Sequence, residues 1–335
     1  MGILGVDIGG TKVGLRFEAR ASSPSPSSSP SPSSSPSPSP SPSLSSSPSP
    51  EAEAEAGPLF ARADWPVDGG VEADLAVLAE LVERTGKEWG HPLEAVGVAV
   101  PGTVTADGIL VTWPGRPSWV GLDLRTALHH IFGDVPVYWA DDGDLGALAE
   151  ARHATCDDLV YLGVGTGVGG GIVIGGRTLP GFARGSCELG HIVVDLDGPV
   201  CDCGRQGCVQ AFACGPAILR RAGALRHAAT EDSDLLTPEA LRTGWSAQED
   251  WAVKALDAAA VALATAVVVV SEMLHPELAL IGGGFAAAHP GFVDLVEHQV
   301  QRLARPGQTA IAVRPAALDG LSSLRGAVEL ARTPG

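Results

Sequence analysis

Three stretches of this sequence combine residue type and spacing in ways that imply chemistry. Gly5-Val6-Asp7-Ile8-Gly9-Gly10-Thr11-Lys12 runs from an apolar strand into a carboxylate and a turn of small residues. Glycines let backbone N–H groups approach phosphate oxygens, Thr11 adds a hydroxyl donor, and Asp7 can hold a magnesium ion through water. Gly163-Val164-Gly165-Thr166-Gly167-Val168-Gly169-Gly170-Gly171 is neither a Rossmann fingerprint nor a Walker loop, because no helix with a Lys-Ser/Thr pair follows. Ile172-Val173-Ile174 continues it as a strand, so it reads as a glycine-rich hairpin. One such hairpin alone is equally a tight turn with no ligand. Two, each after a strand and one containing Asp7, read as sites for nucleotide phosphates. In the third stretch, His191 precedes Cys201-Asp202-Cys203-Gly204-Arg205-Gln206-Gly207-Cys208. Three thiolates and one imidazole make a tetrahedral Cys₃His set, the pattern of a closed structural zinc site. A closed site has no open position for water, so this zinc organises a pocket wall and does not catalyse. Cys156, Cys187 and Cys214 lie outside the pattern and read as small buried residues.

A carboxylate cluster completes the inventory. Tyr138-Trp139-Ala140-Asp141-Asp142-Gly143-Asp144 ends a strand just before a helix, where an α/β sheet places its active groups. Phosphoryl transfer to an alcohol needs a base within reach of the hydroxyl. A plain acidic turn capping the helix at Leu145 is the alternative reading, with Asp144 as N-cap.

The elements around these groups alternate. Asp74 to Trp89 and Leu122 to Phe132 have helical apolar faces, and Leu145 to His153 reads as a third helix. Strands are expected at Ala95–Val100, Val135–Trp139, Leu159–Val164 and Leu278–Ile281, the last running into Gly282-Gly283-Gly284. This alternation means α/β architecture with mostly parallel pairing. No 20–50-residue sequence repeat is evident, although a glycine turn follows a strand three times. Ala21 to Pro50 is nearly pure Ser and Pro, followed by alternating Glu and Ala from Glu51 to Ala56. Residues 21–56 therefore read as a disordered insertion. The strand-like flanks Val13–Phe17 and Leu59–Ala63 place it at a hairpin tip. A long loop there is tolerable, because closure cost rises only about 0.6 kcal/mol per doubling of length.

The chain has 335 residues, 45% of them hydrophobic, ample for a buried core. A net charge of −17 repels nucleic-acid phosphates and anionic lipid, which points to a small-molecule partner. The first residues already read as a strand rather than a leader. The uncharged apolar run Ala258–Val270 is too short to cross a bilayer and reads as part of a buried helix, Glu249 to Leu274. Six cysteines in a chain this long are no disulfide scaffold, so a reducing cytoplasm is expected.

From Met1 to about Ala331, interrupted by the Ser/Pro tract, the chain resembles the ROK family of repressors, uncharacterised reading frames and sugar kinases, which includes bacterial glucokinases. The resemblance rests on Asp-x-Gly-Gly-Thr-Lys, on Gly-x-Gly-Thr-Gly-x-Gly-Gly-Gly, and on Glu-x-Gly-His with Cys-x-Cys-Gly-x-x-Gly-Cys. It implies the actin-like ATPase fold, two lobes around a cleft with ATP across the hinge. The lobes are expected at 1–140 and 141–335, the last helix packing back on the first. It implies ATP contacts at Asp7, Gly9, Gly10, Thr11, Lys12, Gly165, Thr166, Gly167, Gly169, Gly283 and Gly284. Asp142 becomes the catalytic base, and zinc falls to His191, Cys201, Cys203 and Cys208. The acceptor shell becomes Gly102, Asp141, Asp142, Glu188, His191 and Gln210. Here the chain departs from the pattern. Asp141 stands for the usual Asn, Gln210 for a Glu, and Pro114-Gly115-Arg116 for Pro-Asn-Leu. Asn→Asp removes a donor, and Glu→Gln adds one. Retained phosphate turns with an altered shell imply an ATP- and Mg²⁺-dependent kinase for the primary hydroxyl of a hexose-like polyol, with C7 cyclitols among the acceptors. Ordinary glucokinase, using ATP or polyphosphate, is the second reading, and a sugar sensor without catalysis the third. The repressors carry a DNA-binding segment ahead of the Asp-x-Gly-Gly turn, and Asp7 leaves no room for one. A homodimer is expected by analogy.

Overall fold

A computed structural model describes residues 1–20, 57–113, 115–181, 185–230, 236–318 and 320–333. The Ser/Pro insertion expected at 21–56 lies outside the described residues.

The first half begins with β1 (Gly2–Ile8), β2 (Lys12–Ala19) and β3 (Leu59–Asp64), an antiparallel meander. Lys12 pairs with Asp64 and Phe17 with Leu59, so the chain on either side of residues 21–56 forms one hairpin. Helix α1 (Val71–Trp89), β4 (Leu93–Val100), the small hairpin β5 (Thr103–Val104) and β6 (Leu110–Thr112), α2 (Leu124–Phe132) and β7 (Val137–Asp141) follow. β4 lies parallel to β1 and β7 parallel to β4, giving the order β3-β2-β1-β4-β7. α1 ends at Gly90, whose left-handed backbone (φ 72°) closes the last turn onto Gly86 O. α2 starts where Asp123 accepts from Thr126 N–H at 3.0 Å.

After α3 (Asp142–Ala154), the second half repeats the plan with β8 (Leu159–Val164), β9 (Val168–Ile174) and β10 (Arg177–Leu179). Then come α4 (Val209–Ala213), α5 (Gly215–Thr230), α6 (Pro238–Ser246), α7 (Asp250–Leu274), β11 (Leu278–Gly282), α8 (Gly283–Ala288), α9 (Phe292–Leu303), β12 (Ala312–Pro315) and α10 (Ser322–Arg332). Its sheet order, β10-β9-β8-β11-β12, matches the first strand for strand, with β8, β11 and β12 parallel. The repeat absent from the sequence is therefore present in the topology.

Each half has its own core. Leu4, Val6, Leu15, Phe17, Val96 and Val98 of the first sheet pack against Leu78, Leu81 and Leu128 of α1 and α2. The second core centres on α7, where Ala252, Leu256, Leu263 and Val267 meet Val160, Leu162 and Ile281. α7 at 25 residues is long and apolar enough to cross a membrane, so the shortness of Ala258–Val270 is not what settles its place. Its burial against α4, α5 and α9 does, and it is a core helix.

The halves are joined by exchange. α3, which follows the last strand of the first sheet, packs on β8 and β9 of the second. α10, which follows the last strand of the second, packs on β1 and β4 of the first, and the two helices pack on each other. Glycines permit this closeness: a Cβ at Gly97 would sit 1.9 Å from Ala327 O, and one at Gly326 1.9 Å from Leu145 O. The fully buried Glu150 of α3 accepts from Ala317 N–H (3.0 Å), Leu318 N–H (3.2 Å) and Ser322 Oγ (2.7 Å), fixing the start of α10.

Candidate active site

Parallel strands β1, β4 and β7 end on one edge of the first sheet, which brings Asp7, Gly102 and Asp141 to that edge. The first turn, Gly9 to Thr11, is closed by Gly9 N–H to Lys12 O at 2.9 Å. Trp65 clamps it from outside, donating Nε1–H to Gly9 O (2.7 Å) and N–H to Thr11 O (2.9 Å). Thr11 and Lys12 remain exposed. Asp7 is pushed up to about 7, first by burial and then by the charge of Asp142, against the pull of Lys12. The carboxyl of the first turn and the start of α3 thus share one site.

Asp141 is the N-cap of α3. Its Oδ1 accepts from Gly143 N–H (3.0 Å) and Asp144 N–H (3.3 Å). The helix therefore starts at Asp142, three residues earlier than its apolar pattern suggests, and Asp144 is not its cap. Asp144 is instead buried at 1% exposure, receiving Cys187 N–H at 3.4 Å. Asp142 occupies the first position of the helix, and burial lifts its pKa to about 6, with a further push from Glu188 and a counter-pull from Gly143 N–H. Burial, then Asp142 and Asp144, raise Asp141 to about 8. Burial and Glu188 also raise Asp144, to about 7. Carboxylates that raise one another in this way form a site that attracts cations and keeps a base near neutrality.

The second turn lies between β8 and β9, closed by Gly165 N–H to Gly167 O at 2.9 Å. Gly215 at the start of α5 donates N–H to Gly165 O (2.8 Å), and Gln210 Oε1 accepts from Val168 N–H (3.1 Å). The oxygen of Gln210 is therefore engaged by the phosphate hairpin, and its amide NH₂ is the end left for the cleft. The third turn abuts the second, since Gly283 (φ 87°) would place a Cβ 2.3 Å from Val164 O.

Glu188 is exposed, accepts from Ser186 Oγ (3.0 Å) and precedes a 3₁₀ turn, Leu189–His191. His191 Nδ1 lies 3.7 Å from Cys201 Sγ, Cys203 Sγ lies 3.7 Å from Cys208 Sγ, and all four ligand atoms lie within 4.8 Å of one another. A tetrahedron with metal–sulfur bonds of about 2.3 Å has edges of about 3.8 Å, so the set fits one ion. With Nδ1 turned to this cluster, Nε2 of His191 points the other way. The loop is shaped by Cys201 N–H to Arg205 O (2.8 Å) and Val194 N–H to Gly207 O (2.8 Å). It ends at Cys208, directly before α4 and Gln210.

One network was not anticipated. Asp74 of α1, fully buried, pairs with Arg116 and accepts from Trp119 Nε1 at 2.7 Å. Arg116 also donates to Pro66 O (3.1 Å) and lies 5.8 Å from the centre of the Trp65 ring. Arg116 therefore braces Trp65, which clamps the first turn, and the adjacent Gly115 backbone passes close to Gly10. The signal in the sequence was Asp74 itself, a carboxylate on the same helical face as Leu78 and Leu81. A buried charge there demands a cation.

A sequence model described as the ROK family matches residues 70–334. A kanosamine kinase of Amycolatopsis mediterranei is 54% identical over 267 residues, covering 80% of this chain and 86% of that protein. A glucokinase of Thermotoga maritima is 32% identical over 241 residues, covering 67% of this chain and 74% of that one. Among solved structures, a ROK hexokinase from Thermus thermophilus superposes with a TM-score of 0.76 at 27% identity, covering 99% of this chain and 98% of that one.

Proposed function

The chain belongs to the ROK family, and from that premise we propose an ATP-dependent kinase that phosphorylates the primary hydroxyl of a hexose-like acceptor carrying an amine. The fold is the two-lobed actin-like ATPase fold. We put the lobe boundary between Ala140 and Asp141, with α10 returning to the first lobe.

The observation that carries the reading is the place of Asp142. It starts α3 on the edge of the first sheet, beside Asp7 of the first turn, and its pKa of about 6 leaves it ionised at neutral pH while still able to take a proton. In this reading the nucleotide phosphates lie on Gly9–Lys12 and Gly165–Gly169, with Gly283 and Gly284 beside the nucleoside. Backbone N–H groups and Lys12 meet their charge. Asp142 accepts the hydroxyl proton as the acceptor oxygen attacks the γ-phosphorus in line and ADP leaves. Magnesium, when bound, neutralises charge on the transferred phosphoryl group, and Asp7 would hold it through water. Zinc would sit between His191, Cys201, Cys203 and Cys208 and supply shape only. Gly102, Asp141, Glu188, the free face of His191 and the Gln210 amide would contact the acceptor.

The amine is argued from Asp141. One of its oxygens caps α3, and a pKa raised to about 8 by burial, then by Asp142, Asp144 and Glu188, keeps the carboxyl largely protonated near neutrality while no cation is bound. A neutral acceptor, glucose or a C7 cyclitol, leaves it so, whereas an ammonium draws it into the carboxylate form and pairs with it. The 54% identical relative is named for kanosamine, an amino sugar. Free cysteines and net charge −17 support a soluble, cytoplasmic small-molecule enzyme. Val261, Val269 and Met273, exposed along α7, support a homodimer.

The test is a donor-by-acceptor matrix with ATP and polyphosphate against hexoses, amino hexoses and cyclitols. An amino hexose should exceed glucose in kcat/KM by about tenfold or more, and Asp141→Asn, which keeps a helix cap, should erase most of that preference. Equal use of glucose and amino hexose removes the amine from the proposal. Failure with every acceptor removes the kinase.

A further inference from the structure

Asp144 is a buried carboxyl to which the transfer step gives no part. It lies in the first turn of α3, just after Asp142, and is 1% exposed. Glycines on both sides of a close contact put it there. A Cβ at Gly143 would sit 2.6 Å from Gly170 O, and one at Gly171 would sit 2.8 Å from Asp144 Cα. Bare backbone at these positions lets the start of α3 rest directly on β9, the strand that leaves the second turn. Gly170 and Gly171 serve this packing, at the end of the same glycine run that supplies the turn.

From there Asp144 reaches a segment that comes much later in the chain. Its Oδ1 accepts from Cys187 N–H at 3.4 Å, and Cys187 Sγ donates to Leu179 O at 2.7 Å. Glu188 follows directly. Burial comes first in raising Asp141, Asp142 and Asp144, but the charge of Glu188 adds to all three, which sets it beside the first turn of α3. The 3₁₀ turn Leu189–His191 is seated separately, since a Cβ at Gly190 would lie 1.9 Å from Val168 O. Burial pushes Asp144 up to about 7 against the pull of Cys187 N–H. In either protonation state an oxygen remains to accept. An apolar side chain would fill the place without the cost of burying a carboxyl, but it would take that acceptor from Cys187.

We propose that Asp144 is a positioning residue for the acceptor: by taking Cys187 N–H it holds Glu188 beside Asp142, so that acceptor contact and base move as one block. The block consists of the start of α3, β9 and the segment at Cys187 and Glu188. This rests on the reading above of Asp142 as the base and Glu188 as an acceptor contact.

The test sets Asp144→Asn, which keeps an acceptor oxygen and resembles the protonated carboxyl, against Asp144→Val, similar in size and without an acceptor. Asp144→Ala replaces the Val variant should that one not fold. In the full chain without ligands, hydrogen exchange at Cys187 should quicken about tenfold with Val or Ala and stay unchanged with Asn. With the acceptor that the unmodified protein uses best, kcat/KM should fall about tenfold with Val or Ala, while KM for ATP moves by less than about twofold. Asn should restore kcat/KM for the acceptor. Equal loss with Asn and Val makes Asp144 a charge and not an anchor, and overturns the proposal. Parallel losses toward ATP and acceptor, the mark of a merely structural role, overturn it too. No turnover of any acceptor by the unmodified protein fails the kinase reading and this proposal with it. Unaltered exchange at Cys187, or unaltered kcat/KM in an active enzyme, overturns this proposal alone.

Discussion

Gly9 to Thr11 in the first half and Gly165 to Gly167 in the second each join the innermost strand of a sheet to its antiparallel neighbour, but different machinery holds them. The first turn is clamped by Trp65, which is braced by Arg116, which is paired with the buried Asp74. The second is held by Gln210, placed by the short helix that follows the Cys₃His loop, and by Gly215. Both clamps arise from chain that follows the third strand of the meander. In one half a buried ion pair with aromatic rings supplies rigidity, and in the other a cluster of three cysteines and one histidine that could hold a metal ion is positioned to do so. Two copies of one topology therefore solve the same positioning problem independently, and each should fail independently.

The largest effect should come where the halves meet. Asp142→Asn keeps the start of α3 but cannot accept a proton, so turnover should fall about 10²–10⁴-fold while acceptor binding, read by calorimetry, persists. Unchanged turnover would remove the base assignment. In the unmodified protein kcat/KM should decline as pH falls through about 6, where Asp142 becomes protonated.

Breaking the first clamp comes next. Arg116→Ala leaves Asp74 buried without its cation, and stability in urea should drop by about 3 kcal/mol, with the first turn loosened and the second intact. Hydrogen exchange at Trp65, whose N–H bonds Thr11 O, and at Val168 separates the two. Stripping the metal from the second clamp should do the converse. With metal about 100-fold above its Kd, chelation should cost about 2.7 kcal/mol and expose Val168 N–H while Trp65 N–H stays protected. Equal loosening of both turns would contradict independence. The mildest break is Gln210→Ala, which removes one hydrogen bond from Val168 and should cost about 1 kcal/mol, seen as a several-fold rise in KM for ATP.

The sequence made some of this legible and hid the rest for physical reasons. β8 was read at its observed limits, Leu159–Val164, because a wholly apolar run is bounded by Asp158 and Gly165. The hairpin of β2 and β3 was legible across residues 21–56 because both flanks carry strand-like patterns. The start of α3 was missed because Asp-Asp-Gly-Asp has low helix propensity, and the Asp141 cap that overrides it is a matter of three-dimensional contact. The shared plan of the halves was invisible since it resides in strand register, not in residue identity. His191, Cys201, Cys203 and Cys208, whose ligand atoms the fold brings within 4.8 Å of one another, stood out because thiol and imidazole spacing of this kind is rare by chance. Asp74 and Arg116, 42 positions apart, are ordinary residues until the fold brings them together.

The exchange of α3 and α10 also bears on how the molecule can be made. β1 leaves the ribosome long before α10, yet the face carrying Gly5 waits for that helix, and Glu18 meets Arg332 across a separation of 314 residues. Contacts of such long range are slow to form, and an uncovered sheet face invites association with other chains in the interval. The first half therefore cannot complete its fold until α10 has emerged, and a nascent chain arrested before residue 322 should remain dependent on chaperones however perfect its first 154 residues are.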